Sequence, residues 1–336
     1  MSYVKYFEKN TSIDRKCHTK GILYFDNTVR NIFNNISNSN KTYGEVTRAS
    51  LENSLMSSYK NRNATLYNVI VTANGRLYQN NKKIGEIIGC WCDKTKDNTV
   101  LDSTIYDYVI SISGVWSYGI WHFPTEALTA LMKHKITKNV KIHVHTKTPY
   151  VLYWLSLIGI NEDQVIHRNI RAKQLFIPEL GAAGSPYAEQ IDWLSDLVRK
   201  SVIKKREKLL ILVKRTRTRP ILNYNMVYAE CLKLASVMNL TLYIHDDDNL
   251  PSIKNQHAAF KSAKILVAPH GGGNVNIVAM DEGTTFVEIT DDKHSNICFL
   301  RVALYKNINY YGVGSKNWNA DIKSLTDVFK KISNTT

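Results

Sequence analysis

From residue 208 onward the chain repeats one unit, a short apolar run followed by a polar turn and a helix-length segment. The runs fall at 208–213, 240–245, 264–268 and 284–289, and helical patterns fill 224–238, 254–262 and 274–280. In KLLILV at 208–213 the apolar residues are consecutive rather than alternate, so such a strand must be covered on both faces. Strands that alternate with helices over short connections make a parallel sheet with helices on both sides, which predicts a Rossmann-like domain. A helix over 321–333 closes the chain. The helical stretch 186–206 ends in Lys204, Lys205 and Arg206 and sets a boundary near residue 200.

The preceding half also reads as α/β. TLYNVIVTANGRLYQ predicts a β-hairpin, with Asn74 and Gly75 suited to the positive φ angles of a type I′ turn. Strand signals follow at YVISIS (108–113) and VKIHVH (140–145), with helical spacing in HFPTEALTALMKH and around 150–158. The stretch 31–44 reads as loop-rich. A chain of 336 residues, 44% hydrophobic, is long enough for two cores of roughly 150 residues each. The expected division is therefore an N-terminal α/β domain over 1–200, a C-terminal Rossmann-like domain over 201–320, and a terminal helix and tail over 321–336.

Composition narrows the function class. Cys17, Cys231 and Cys298 stand alone, and Cys90/Cys92 have the wrong spacing for a Cys-x-x-Cys metal or redox site, so idle thiols in a reducing compartment are expected. The opening MSYVKYFEKNTSIDRKC has no apolar signal core, and the longest apolar run, at 151–160, is about half of what spans a bilayer. A soluble cytoplasmic protein is the expectation. The net charge of +15 calls for an anionic partner: nucleic acid, a membrane surface or a phosphorylated substrate.

Three segments carry groups suited to chemistry. AKILVAPHGGGNVNIVAM at 263–280 runs a strand into His270, Gly271, Gly272 and Gly273 and then into a helix. Glycines there let the backbone approach a ligand, and free N–H groups at a helix start favour an anion, although a tight structural turn would use the same residues. In LLILVKRTRTRPILN a buried strand delivers Lys214, Arg215, Arg217 and Arg219 onto one loop. Ten of the 21 residues from Arg199 to Arg219 are basic. Alternation puts Arg215, Arg217 and Arg219 on a common side, where guanidinium forks match phosphate oxygens, whereas the helical part of the run reads as a solvated surface. In YGIWHFPTEALTAL, His122 and Glu126 stand one helical turn apart, a spacing that suits either proton abstraction from a hydroxyl or a surface pair. His245-Asp246-Asp247-Asp248 has a spacing that can hold a metal–nucleotide complex but reads better as turn and cap residues. His143 and His145, lacking a third ligand, read as ordinary strand positions.

In this order the three segments resemble glycosyltransferase family 61 over roughly residues 105 to 290. The resemblance lies in His122 and Glu126, in Arg215 and Arg219 leading into Ile221, Leu222 and Asn223, and in Ala263, His270, Gly271 and Gly273 followed by Gly283, Thr284, Val287 and Glu288. Gly272 stands where another small residue is usual, and Tyr224 where an acidic one is frequent.

The resemblance implies a GT-B architecture, two facing Rossmann-like domains with the active site in the cleft between them. It also implies an inverting, metal-independent transfer from a nucleotide-sugar, a UDP-sugar above others, to a glycan hydroxyl. No cofactor is then needed, and no nucleic-acid partner or membrane span is expected. Lys214, Arg215, Arg219, Asn223, His270, Gly271, Gly272, Gly273, Asn274 and Glu288 would bind the donor, with Glu288 receiving the ribose hydroxyls. Glu126 would be the general base with His122 beside it, and the role is open between the two. The rival readings are a basic nucleic-acid-binding α/β protein and a glycan-binding homologue without catalysis.

Overall fold

In the computed structural model the described residues are 23–25, 63–87, 101–181, 184–203, 207–291 and 298–334. Cys17, Cys90, Cys92, the stretch 31–44 and the run Lys204–Arg206 lie outside them. The chain is a mixed α/β protein with two sheets. It divides into two compact units, 57–197 and 198–336 joined by 1–56. The first strand, β1 (Leu23–Phe25), runs parallel to the late strand 309–316, so this piece of the expected N-terminal domain belongs to the C-terminal sheet.

The unit 57–197 contains β2 (Asn63–Val71), β3 (Arg76–Gln79), β4 (Lys82–Glu86), β5 (Leu101–Ser111), β6 (Lys141–His143), β7 (Val165–Ile166) and β8 (Asn169–Pro178). They lie in the order β4-β3-β2-β8-β5-β6-β7. The sheet is mixed: β8 pairs antiparallel with β2 and parallel with β5, and β6 and β7 continue the parallel half. The sequence reading misses β8, although Ile170, Ala172 and Leu175 are buried along it. The predicted hairpin is present as β2–β3, but its turn differs. Of Asn74 and Gly75 only Gly75 has a positive φ, 85°. The Thr72 hydroxyl accepts from Arg76 N (2.9 Å), and Gly75 N donates to the Thr72 carbonyl (2.9 Å). This is the three-residue loop with glycine in the left-handed position rather than a two-residue type I′ turn. A Cβ at Gly75 would lie 2.7 Å from the Ser113 carbonyl, so the turn tip is pressed onto the loop that follows β5. Helix α1 (Pro149–Ser156) is capped by the Thr148 hydroxyl, which accepts from Val151 N. Helix α2 (Ala188–Ser201) holds the division between the two units.

The C-terminal sheet contains β9 (Leu209–Lys214), β10 (Thr241–Asp246), β11 (Ala263–Pro269), β12 (Thr285–Asp291), β13 (Asn309–Lys316) and β14 (Asn319–Ala320). The order is β1-β13-β12-β11-β9-β10, all parallel, with β14 antiparallel on β13. β9, β11 and β12 are buried almost throughout, as consecutive apolar residues require. Helices α3 (Tyr224–Val237) and α6 (Ile322–Asn334) pack together on one face, where Val227, Cys231, Leu325, Val328 and Phe329 meet Leu210, Leu212, Val267 and Val287. The final helix is thus part of this core. A 3₁₀ segment, Gly272–Ala279, packs against α4 (Ile253–Ser262) and α5 (Cys298–Tyr305). β9 lies between β10 and β11, so the chain order reverses there. Ligands of open parallel sheets bind beyond the carboxyl ends of the strands at such a reversal.

Candidate active site

The reversal point in the C-terminal sheet is where two of the predicted segments meet. Arg215 leaves the end of β9, and His270 leaves the end of β11. Arg215 Nη1 donates to the His270 carbonyl at 2.9 Å, and Arg219 Nη1 donates to the same oxygen at 3.4 Å. Arg219, just before Pro220, holds φ 55°. That left-handed backbone costs a non-glycine residue roughly 1 kcal/mol or more, and it ends the extended alternation of the loop. Arg217 is exposed, whereas Arg215 and Arg219 are half-buried. Burial lowers the Arg215 pKa and neighbouring Arg219 lowers it further, against the opposing effect of Asp247. The guanidinium keeps its charge at neutral pH all the same.

Gly271 fits against that guanidinium so closely that a Cβ would lie 1.7 Å from Arg215 Nη1. Gly272 starts the 3₁₀ segment, a tighter winding than the expected helix, and a Cβ at the exposed Gly273 would meet open space. Asn274 ties the loop down by donating to the Pro269 carbonyl at 3.0 Å. Beneath the loop, His270 Nδ1 donates to Glu288 Oε1 and the Tyr310 hydroxyl donates to Glu288 Oε2, both at 2.6 Å. Glu288 is 0% exposed. Its two oxygens hold His270 and Tyr310 instead of facing a ribose, because the carboxylate lies inside β12 rather than at its tip. Asn223 is likewise engaged within the fold, since its side-chain amide exchanges two 2.9 Å hydrogen bonds with the backbone of Ala320. It pins the end of the arginine loop to β14.

The acidic triplet faces the same loop. Lys214 pairs with Asp246 at 2.9 Å, Arg215 Nε lies 3.8 Å from Asp247, and the Thr216 hydroxyl donates to Asp248 at 2.8 Å. The Lys214 ammonium holds the Asp246 carboxyl below its usual range. Each aspartate thus braces one successive residue of the cationic loop. Among the described residues no three His, Cys, Asp or Glu side chains converge as a metal-binding set.

In the other unit the helical spacing of 123–131 is wound as a π turn, Phe123–Ala127, and a 3₁₀ turn, Leu128–Leu131. Pro124 in the first turn brings no N–H, and the Glu126 carbonyl accepts from Gly181 N at 2.9 Å. Gly181 is needed there, since a Cβ would lie 2.8 Å from the Thr125 carbonyl. The Glu126 side chain is 4% exposed, and its Oε1 accepts from His122 Nδ1 at 2.7 Å and from Gly184 N at 3.3 Å. The His122 side chain remains 28% exposed. A carboxylate only accepts, so the proton of a neutral His122 sits on Nδ1 and Nε2 keeps its lone pair.

Residues 120–287 match the profile of Glycosyltransferase 61. The chain belongs to this family. No curated protein matches the chain. The matched segment of this family-61 glycosyltransferase takes in His122, Glu126, Arg215, Arg219 and His270 and ends one residue before Glu288. The two histidines of the 140–145 run have different surroundings. His143 is buried, accepting from the Ser111 hydroxyl at 2.9 Å and donating to the Arg168 carbonyl at 2.8 Å. His145 donates to the Gly114 carbonyl at 3.1 Å. Sequence reasoning missed Tyr310, Gly181 and Gly184. Tyr310 stands in β13 opposite Phe286, two residues before Glu288, and only the strand register brings it to that carboxylate. Among the described residues no helix is long and apolar enough to cross a membrane.

Proposed function

We propose that the chain is an inverting glycosyltransferase of GT-B architecture that moves a sugar from a nucleotide-sugar, a UDP-sugar above others, to a glycan hydroxyl without needing a metal. The observation that carries this reading is the convergence of Arg215 and Arg219 on the His270 carbonyl at the reversal point of a parallel sheet. Arg215 also donates to the Thr218 hydroxyl at 2.5 Å, and the donors that each guanidinium has left can hold diphosphate oxygens. As the glycosidic bond breaks, negative charge grows on the departing diphosphate, and fixed cations stabilise it most because they need not reorganise.

Proton transfer falls to the other unit. In this proposal His122 Nε2 takes the acceptor proton, and Glu126 orients the ring and stabilises the imidazolium, as a buried carboxylate does for a catalytic histidine. Burial and the two hydrogen bonds on Glu126 favour this order over Glu126 as the base. The acceptor oxygen, as it loses its proton, attacks the anomeric carbon from the face opposite the diphosphate, which inverts the configuration. A screen of UDP- and GDP-sugars by thermal shift, followed by transfer assays with the stabilising donor, tests the proposal. Stabilisation by a UDP-sugar is expected, and indifference to every nucleotide-sugar contradicts it.

A further inference from the structure

The loop that leads from β5 to His122 presents large apolar rings to water. Trp116 is 38% exposed and Tyr118 47% exposed. Their ring centroids are 5.9 Å apart, and the series continues at both ends, with His145 4.9 Å from Tyr118 and His122 6.2 Å from Trp116. Successive planes tilt by only 34–40°, so the four rings form one continuous strip that ends at His122.

The backbone under this strip is held firmly. Ser117 Oγ donates to the Gly114 carbonyl and accepts from Gly114 N, both at 2.9 Å. Gly119 N donates to the Trp116 carbonyl at 2.8 Å, Phe123 N to the Gly119 carbonyl at 2.9 Å, and the Tyr150 hydroxyl to the Ile120 carbonyl at 2.5 Å. These bonds fix the backbone that carries the two rings, and contiguous exposed aromatic surface is the kind of surface that binds ligands.

We infer that the Trp116–Tyr118 strip is the seat of the acceptor, taking the apolar face of a pyranose ring and setting its hydroxyl at His122. A pyranose is suited to it: C–H bonds line a ring face while hydroxyls circle the rim, so one face can lie on aromatic carbon as the rim stays hydrated. This inference rests on the proposed function, and it adds where the acceptor sits and the two residues that hold it.

The test needs no knowledge of the donor. Saturation-transfer NMR is run on the full chain with the methyl β-glycosides of glucose, galactose and N-acetylglucosamine. The expected result is saturation of at least one glycoside, strongest on the protons of a single ring face. Trp116→Ala or Tyr118→Ala should weaken that binding by about tenfold, with Trp116→Phe restoring most of it. Arg215→Ala, which disables the donor loop, should keep the signal, so a failure of the donor reading is told apart from a failure here. The inference is overturned if no glycoside is saturated, or if saturation survives in both alanine variants. It is equally overturned if the strip instead drives self-association that Trp116→Ala abolishes, with no glycoside bound.

Discussion

The loop after β9 and the turn that begins at His122 both follow a sheet strand, yet they are built on opposite plans. Around Arg215 and Arg219 charge is abundant: two guanidiniums share one carbonyl, three aspartates brace three successive residues, and the buried Glu288 supports His270 from below. Around His122 the polar chemistry centres on its pair with Glu126, a carboxylate that Gly184 N also holds, on an irregular turn. A cluster of fixed cations acts on an anion already present in the bound donor, so its loss should appear first as affinity. A lone base acts only when a proton moves, so its loss should appear as rate.

Substituting the proposed base gives the largest expected effect. His122→Ala should lower transfer by roughly 10²- to 10⁴-fold with UDP affinity unchanged. Glu126→Gln should cause a smaller loss, since the ring keeps a neighbour but loses the stabilising charge. The reverse ranking, with His122→Ala near wild type, would return the role to Glu126. Next come Arg215→Ala and Arg219→Ala, each expected to weaken UDP binding by about 1.5–3 kcal/mol as measured by calorimetry. Gly271→Ala sharpens that point. Its new Cβ would displace the Arg215 guanidinium, so UDP affinity should fall toward the Arg215→Ala value and not fall further in the double variant. Gly273→Ala, whose Cβ would meet no atom of the fold, leaves the Arg215 guanidinium in place, so a loss of UDP affinity there would mean that the donor approaches the glycine itself.

How far these features can be read from sequence also differs between the two regions. The C-terminal strands are legible because burial on both faces leaves consecutive apolar residues, and the predicted runs at 208–213 and 264–268 match β9 and β11 to within a residue at each end. β8 escapes a sequence reading because its exposed Arg171 and Lys173 interrupt the apolar run, although it is the strand that joins the antiparallel and parallel halves of its sheet. Residue types at the candidate site are legible as well, but not their surroundings. Nothing local to Glu288 or Asn223 reveals that Tyr310 or Ala320 will occupy them, since those partners arrive through strand register and tertiary folding.

Both regions contain histidines whose pKa values burial lowers to about 4: His143 in one unit, His245 and His257 in the other. Each is neutral when folded, while the unfolded chain takes up protons near its ordinary value of about 6.5. Their contribution to stability is therefore complete above about pH 6.5 and is lost as pH falls toward 4, at up to roughly 1 kcal/mol per pH unit for each ring. Denaturant melts at pH 7, 5.5 and 4.5 should fall in that order, and His143→Gln should flatten the trend. The smallest effect is expected from the acidic triplet. Asp246→Asn with Asp248→Asn should change transfer by no more than a fewfold, because Asp246 braces the loop through a partly exposed ion pair with Lys214 and Asp248 through the Thr216 hydroxyl. Transfer should also survive EDTA. Activity abolished by EDTA and restored by manganese would mean that the triplet holds a metal.

The division of labour is tested most directly by titrating UDP, by isothermal calorimetry at one fixed salt concentration, into the wild type, His122→Ala and the Arg215→Ala/Arg219→Ala double variant. Equal affinity for wild type and His122→Ala, with at least tenfold weaker binding by the arginine variant, is the predicted result. UDP affinity that is the same in all three proteins, or absent from the wild type, would contradict the assignment of the β9 and β11 loops to the donor.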